Sequence, residues 1–261
     1  MIKFACLAPH PPLLIPNIGK ENLEQVAATC KSLNKLEAEM YQLKIDTLLI
    51  ISPHGDLTPD AFTINQAANL TVKFTNFGDL ATKMSFKNDI ELGYKIREYL
   101  ETKMPVRLIN EPELDHGAGV PLYCLTAHLK DLKIVPLGFS LLSLKEHYEF
   151  GEMLQEILLP STKNIGVVAS GDLSHCLTTE APAGFSPRGQ EFDHVFINLL
   201  KEKKIKEIIN LDRELIADAS ECGLRSFVIL LGILDKINFQ VEVLSYEGPF
   251  GVGYLVTNFK L

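Results

Sequence analysis

Four short apolar runs restrict what this chain can fold into: Ile2 to Leu7, Asp46 to Ser52, Lys133 to Ser140 and Gly166 to Ala169. Each has the length of a buried strand, and helical patterns lie between them. Glu21 to Leu43 places Leu23, Val26, Ala27, Leu33, Leu36, Met40 and Leu43 roughly on one helical face. Asn88 reads as the cap of a helix over Asp89 to Thr102. Pro121 suits the first turn of a helix to about Leu129. Ser143-Leu144-Lys145-Glu146 has the capping-box spacing for a helix to about Leu159. Further helices are expected over Gln190 to Lys203, Lys204 to Leu211 and, buried on nearly every side, Leu224 to Leu234. Strands alternating with helices favour a mostly parallel sheet covered on both faces. The expected fold is therefore α/β, read as one domain over 1–261, with Phe239 to Tyr246 and Gly253 to Phe259 as an antiparallel closing pair. Val106 to Ile109 adds a short strand, and Ala61 to Phe74 a pair beside the main sheet. Phe77 to Phe86 reads as an irregular lid or substrate loop, Asn110 to Gly119 as a loop, and Thr178 to Arg188 as a loop over the site.

The strand ends carry the chemistry. Ile2 to Leu7 stops at Ala8-Pro9-His10-Pro11-Pro12, where the prolines forbid both helix and ladder pairing. Asp46 to Ser52 stops at Pro53-His54-Gly55-Asp56, and Gly166 to Ala169 at Ser170-Gly171-Asp172-Leu173-Ser174-His175. His116 falls in the loop Asp115-His116-Gly117. Ligands bind outside the carboxyl ends of strands in open α/β sheets, so these loops mark the expected site. His128, His147 and His194 fall in helical stretches among polar neighbours and read as a solvated face.

Imidazole is the commonest metal ligand and titrates near neutral pH. Two histidines and a carboxylate leave coordination positions open, as in non-haem Fe(II) oxygenases. His10 and His54 make the best pair if their strands are neighbours. Carboxylate candidates are Glu221, Glu247, Asp56, Asp115 and Asp172. Residue chemistry leaves Glu221 evenly balanced between a metal ligand and a charge favoured at a helix start. For Asp115 and Asp172, a role as loop cap or turn competes with one of orienting the histidines.

A net charge of -8 and the lack of a basic run argue against nucleic acid. Five cysteines with no C-x-x-C pair suggest neither a disulfide framework nor a cysteine-rich zinc site. No signal-peptide pattern opens the chain, and Phe227 to Leu234 is too short to span a bilayer, so a cytoplasmic location without membrane contact is expected.

Five motifs occur in order: Pro9-His10-Pro11-Pro12, Ser52-Pro53-His54-Gly55, Leu114-Asp115-His116-Gly117, Gly171-Asp172-Leu173-Ser174-His175 and Glu221-Cys222-Gly223-Leu224-Arg225. Together they resemble the catalytic-subunit superfamily of class III extradiol ring-cleavage dioxygenases. Ser245-Tyr246-Glu247-Gly248-Pro249-Phe250-Gly251-Val252-Gly253-Tyr254 resembles the branch associated with AmmeMemoRadiSam proteins, a distant relative of Memo. The resemblance implies an α/β fold and a mononuclear site with His10, His54 and Glu221 as metal ligands. It makes His175 the acid/base and His116 a second histidine at the substrate, with Fe(II) as the metal and Zn(II) as the alternative. It implies a catecholic aromatic substrate and O2, and leaves open a homo-oligomer, an AmmeMemoRadiSam-system partner, a Memo-like metal-binding or redox-partner role, and a zinc hydrolase.

Overall fold

The computed structural model describes residues 1–261. Strands β1 (Ile2–Ala8), β2 (Thr47–Ser52), β8 (Lys133–Gly138) and β9 (Ile165–Ser170) are the four apolar runs. Around them lie β3 (Phe62–Asn65), β4 (Asn69–Phe74), β5 (Asp79–Asn88), β6 (Val106–Ile109), β7 (Glu113–Leu114), β10 (Gln240–Glu247) and β11 (Tyr254–Lys260). The helices are α1 (Pro16–Gly19), α2 (Ala27–Gln42), α3 (Ile90–Leu100), α4 (His116–Leu125), α5 (Leu144–Leu158), α6 (Pro187–Lys201), α7 (Ile205–Ile209), α8 (Arg213–Ala219) and α9 (Leu224–Ile233). One mixed sheet runs β10-β11-β1-β9-β2-β8-β5-β4-β7, with β3 paired to β6 and β8. Its centre, β1-β9-β2-β8, is parallel, and β10-β11 close the chain antiparallel, as expected.

Strand alternation divides the core between the two faces. Ala5, Leu7, Leu49 and Ile51 pack with α5, α6 and α9 through Phe150, Phe192 and Phe227. Phe4, Cys6, Leu48 and Ile50 pack with α2 and α4 through Leu33, Leu36 and Leu122. Strands covered on both sides gain nothing from polar alternation, so they read as continuous apolar runs.

The sheet forks at β8. Along one side β8 pairs with β2 residue for residue. Along the other it pairs with β5 at Lys133 and Ile134, then with β3 at Leu137 and Gly138. Pro136, which has no N–H to offer a ladder, sits between these two pairings. The fork opens a cavity of about 450 Å³ at the C-terminal edge, lined by residues of β3, β4, β7 and β8.

Several expectations are revised. Asp79–Asn88 is a strand rather than an irregular lid, and only Thr75–Phe77 before it, a 3-10 turn, borders the cavity. The expected loop over Asn110 to Gly119 gives way to a helix capped by Asp115, so His116 opens α4 and Pro121 lies inside it. The helix predicted from Glu21 begins as a 3-10 segment, Lys20–Val26, and is α-helical only from Ala27. Asp89, not Asn88, caps α3. His147 is fully buried rather than solvated, with Nδ1 and Nε2 facing the carbonyl oxygens of Ser143 and Ser140. No helix is long and apolar enough to cross a membrane.

Candidate metal centre and adjoining cavity

His10 and His54 meet, although their strands are not neighbours, because β9 lies between β1 and β2. β9 ends at the small residue Ser170, with Gly171 following, and the two imidazoles come together with Nε2 atoms 3.0 Å apart. Cys222 Sγ lies 3.7 Å from His10 Nε2, and Asp172 Oδ2 3.8 Å. The donor atoms of His10, His54 and Cys222 all fall within 4.8 Å of one another, as do those of Asp172, His175 and Cys222. His116 stacks on His54 at 4.4 Å between ring centroids.

Hydrogen bonds fix the orientation of His10. The Ser170 hydroxyl donates to the Gly117 carbonyl at 2.5 Å, which commits its only proton. Its oxygen must then accept from His10 Nδ1, 3.0 Å away. His10 therefore carries its proton on Nδ1 and turns the Nε2 lone pair toward His54 and Cys222. Asp172 Oδ1 accepts the backbone N–H of His10 at 3.0 Å and tethers the loop. His54 is held through Ser52, whose hydroxyl donates to Asp115 Oδ1 at 2.6 Å and accepts the His54 N–H at 3.2 Å. Asp115 accepts from Ala118 N as well, so it is both the helix cap and an anchor for the His54 loop. Gly55 follows with φ of 93°, and a Cβ there would lie 2.9 Å from the Asp115 carboxylate. A side chain would thus be strained twice over.

Cys222 reaches the centre because two backbones touch. A Cβ on Gly171 would fall 2.1 Å from the Gly223 Cα. The Asp172 carbonyl accepts the N–H groups of Cys222 (3.4 Å) and Gly223 (3.0 Å), and Asp172 N donates to Cys222 Sγ at 3.3 Å. The turn before α9 is thereby fastened to the end of β9.

Glu221, expected as the carboxylate ligand, is placed differently. Its Oε2 accepts the Leu224 N–H at 2.6 Å, and it lines a second cavity of about 1050 Å³ with Ser220 and Arg225. Oε2 thus satisfies one of the free amides at the start of α9, and burial pushes the Glu221 carboxyl up to about 7. Glu247 is likewise occupied elsewhere, accepting from Thr29 N in the first turn of α2. Asp56 borders the smaller cavity. Cys222 and the orienting serines Ser52 and Ser170 were not singled out as donors or anchors by their motifs. Cys222 was detectable only as the neighbour of Glu221.

Electrostatics suit a cation. Burial lowers the pKa of His10 well below the usual histidine value, helped by the neighbouring imidazoles, and burial also lowers those of His54, His116 and His175. Neutral imidazole is the ligand form. Burial pushes the Cys222 thiol up and the Asp172 carboxyl to about 7, so both resist ionising unless a positive charge is supplied. His175 Nδ1 is shielded from solvent and has no hydrogen-bond partner. Lone pairs 3.0 Å apart with a sulfur beside them match donors about 2.1 Å from one shared ion. The residues fit a mononuclear metal.

The cavity at the sheet fork adjoins this cluster. It is lined by His54, His116 and Asp115, by Phe77, whose ring meets His116 edge-on at 5.1 Å, and by Lys73, which is paired with Glu113.

The chain is 34% identical over 258 residues to "Protein CA_C1420" of Clostridium acetobutylicum, covering 95% of this chain and 55% of that protein. It thus spans about half the length of that curated relative. It shares its fold with an uncharacterized protein, JW3007 of Escherichia coli K12, at a TM-score of 0.72 and 20% identity, covering 98% of this chain and 99% of the other. Residues 4–257 match the family described as the catalytic LigB subunit of aromatic ring-opening dioxygenase, and the chain belongs to that family.

Proposed function

We propose that this protein is a mononuclear non-haem metal-dependent oxidoreductase that opens a catecholic ring with dioxygen, holding its metal through His10, His54 and Cys222. The observation that carries this reading is the convergence of three donor atoms beside a cavity that presents aromatic side chains, in a chain of a ring-opening family. Fe(II) bound there would supply Lewis acidity and redox capacity toward the catechol and oxygen.

The remaining work falls to the chain. A cavity of about 450 Å³ is of the size that takes one small ring. Phe77 and His116 form an aromatic wall against which such a ring can lie, beside His54. His175 is assigned as the proton acceptor for a catechol hydroxyl, since burial holds it neutral and it stands in one donor group with Asp172 and Cys222. His116 donates a hydrogen bond to oxygen as charge develops.

Cys222 and Asp172 in the donor group favour a second reading, a metal-binding or redox-partner protein without an aromatic substrate. The two are separated by loading the protein anaerobically with Fe(II) or Zn(II), measuring bound metal, and following oxygen uptake with a panel of catechols. Ring opening predicts uptake by the iron form that is lost in His175→Ala while metal stays bound. Retained metal with no uptake on any catechol would support the second reading, and hydrolytic activity of the zinc form a third.

A further inference from the structure

The larger cavity, about 1050 Å³, plays no part in the reaction proposed above. It is walled by residues of α5, α7, α8 and α9 and by Ser220 and Glu221, and none of His10, His54 and Cys222 lines it. Its walls combine leucine and isoleucine side chains, among them Leu141, Leu211 and Ile216, with charged groups. Leu141 is 59% exposed, so the apolar wall continues to the surface.

Arg225 is the unusual group. Its Nε is shielded from solvent and has no hydrogen-bond partner. A guanidinium directs its donors in a fixed fork, and a shielded N–H without an acceptor is costly, although the Arg225 side chain as a whole is half-buried. Glu221 lines the same cavity and feels the charge of Arg225, but its Oε2 accepts the Leu224 N–H and it makes no hydrogen bond to Arg225 Nε. On its other side Arg225 faces the ring of Phe139, 5.9 Å from the centroid, which supplies no oxygen. No oxygen of the protein accepts from Nε, which leaves that donor for a ligand in the cavity.

Charge and shape narrow its class. Four cationic residues line the cavity (Lys145, Lys206, Arg213 and Arg225) against three acidic ones (Glu149, Glu152 and Glu221). Lys145 and Glu149 are within 3.5 Å and offset each other. The surplus of one positive charge suits a monoanion better than a phosphate dianion, and the aliphatic walls suit an apolar body behind the charged end.

We propose that this cavity is a binding site for an amphipathic monocarboxylate, whose carboxylate pairs with Arg225 and whose hydrocarbon part lies along Leu141, Leu211 and Ile216. The proposal stands apart from the ring-opening reading and survives its failure.

The test is calorimetric titration of the full chain with decanoate, decanol and inorganic phosphate. Decanoate should bind at one site at least tenfold more tightly than decanol or phosphate, and its affinity should fall with added salt. Arg225→Gln should weaken decanoate at least tenfold, which is about 1.4 kcal/mol, and should leave decanol unchanged. Leu141→Asp, at the exposed rim where folding is not at stake, should weaken decanoate too. Equal binding by wild type and Arg225→Gln, equal affinity for phosphate or decanol, no effect of Leu141→Asp, or no decanoate binding would each overturn the proposal.

Discussion

Removing one hydroxyl tests the construction of the metal centre. Ser170→Ala deletes the oxygen that accepts from His10 Nδ1 and donates to Gly117 O. Ser170 is fully buried, so water cannot replace it. Two groups lose their partner, each at about 1–3 kcal/mol when left buried and unpaired, although relaxation makes the sum an upper limit. A loss of roughly 2–4 kcal/mol in unfolding free energy is expected. For a chain of this size that lowers Tm by somewhere around 4–16 °C. The second consequence is specific to the site. Without Ser170, His10 is free to take the other tautomer, with its proton on Nε2, where the lone pair is needed. Partners that orient a metal-bound histidine are typically worth about 10–100-fold in affinity.

The assay is competition against a chromogenic chelator, with Zn(II) and anaerobic Fe(II), alongside thermal unfolding of the metal-free protein. Ser226→Ala is the control: that serine is fully buried too, but its hydroxyl has no partner to lose. It should not lower stability, since a buried unpaired hydroxyl costs rather than contributes, and should leave metal affinity unchanged. If Ser170→Ala bound metal as tightly as wild type while losing stability, Ser170 would be only a structural bond, and the tautomer reasoning would fail.

Two further outcomes are expected. Cys222→Ser should weaken metal binding at least as much as Ser170→Ala, whereas Glu221→Gln should leave it within about threefold; the reverse order in the chelator assay would restore Glu221 as the ligand. Burial lowers the His147 pKa to about 4, with Arg225 reinforcing it, despite the two carbonyl oxygens at its ring nitrogens. The unfolded chain, near 6.5, then binds the extra proton, so stability is full above about pH 6.5 and is lost as pH falls to about 4, by at most about 3 kcal/mol. Urea unfolding of wild type and His147→Gln across pH 4–7 should show a shallower slope in the variant, and identical slopes would refute the assignment.

Much of the fold could be read from the residues because its central strands are buried on both faces. Their apolar runs need no partner to be recognised, and three of the four end at a proline or small residue that places a histidine at one sheet edge. The parts that failed depend on contacts distant in sequence. Asp79–Asn88 is a half-exposed strand whose pairing with β4 gives it its form, and no local pattern announced that. His147 has polar neighbours in sequence, yet in space it meets Phe62 and Phe139.

The third donor shows where such reading stops. Glu221 and Cys222 are adjacent in the turn before α9, yet Sγ meets His10 while the Glu221 carboxylate meets the Leu224 N–H. Chemistry alone favours the carboxylate, since an acid in a buried position calls for a cation. What decides is the Asp172 carbonyl, which accepts the N–H groups of both Cys222 and Gly223 and sets the rotation of the turn. That rotation sends Sγ toward His10 and leaves Glu221 to cap α9 and wall the larger cavity. The turn could not sit so close to β9 unless residues 171 and 223 were both glycine. The approach of Cys222 to His10 thus rests on a backbone contact between segments about fifty residues apart.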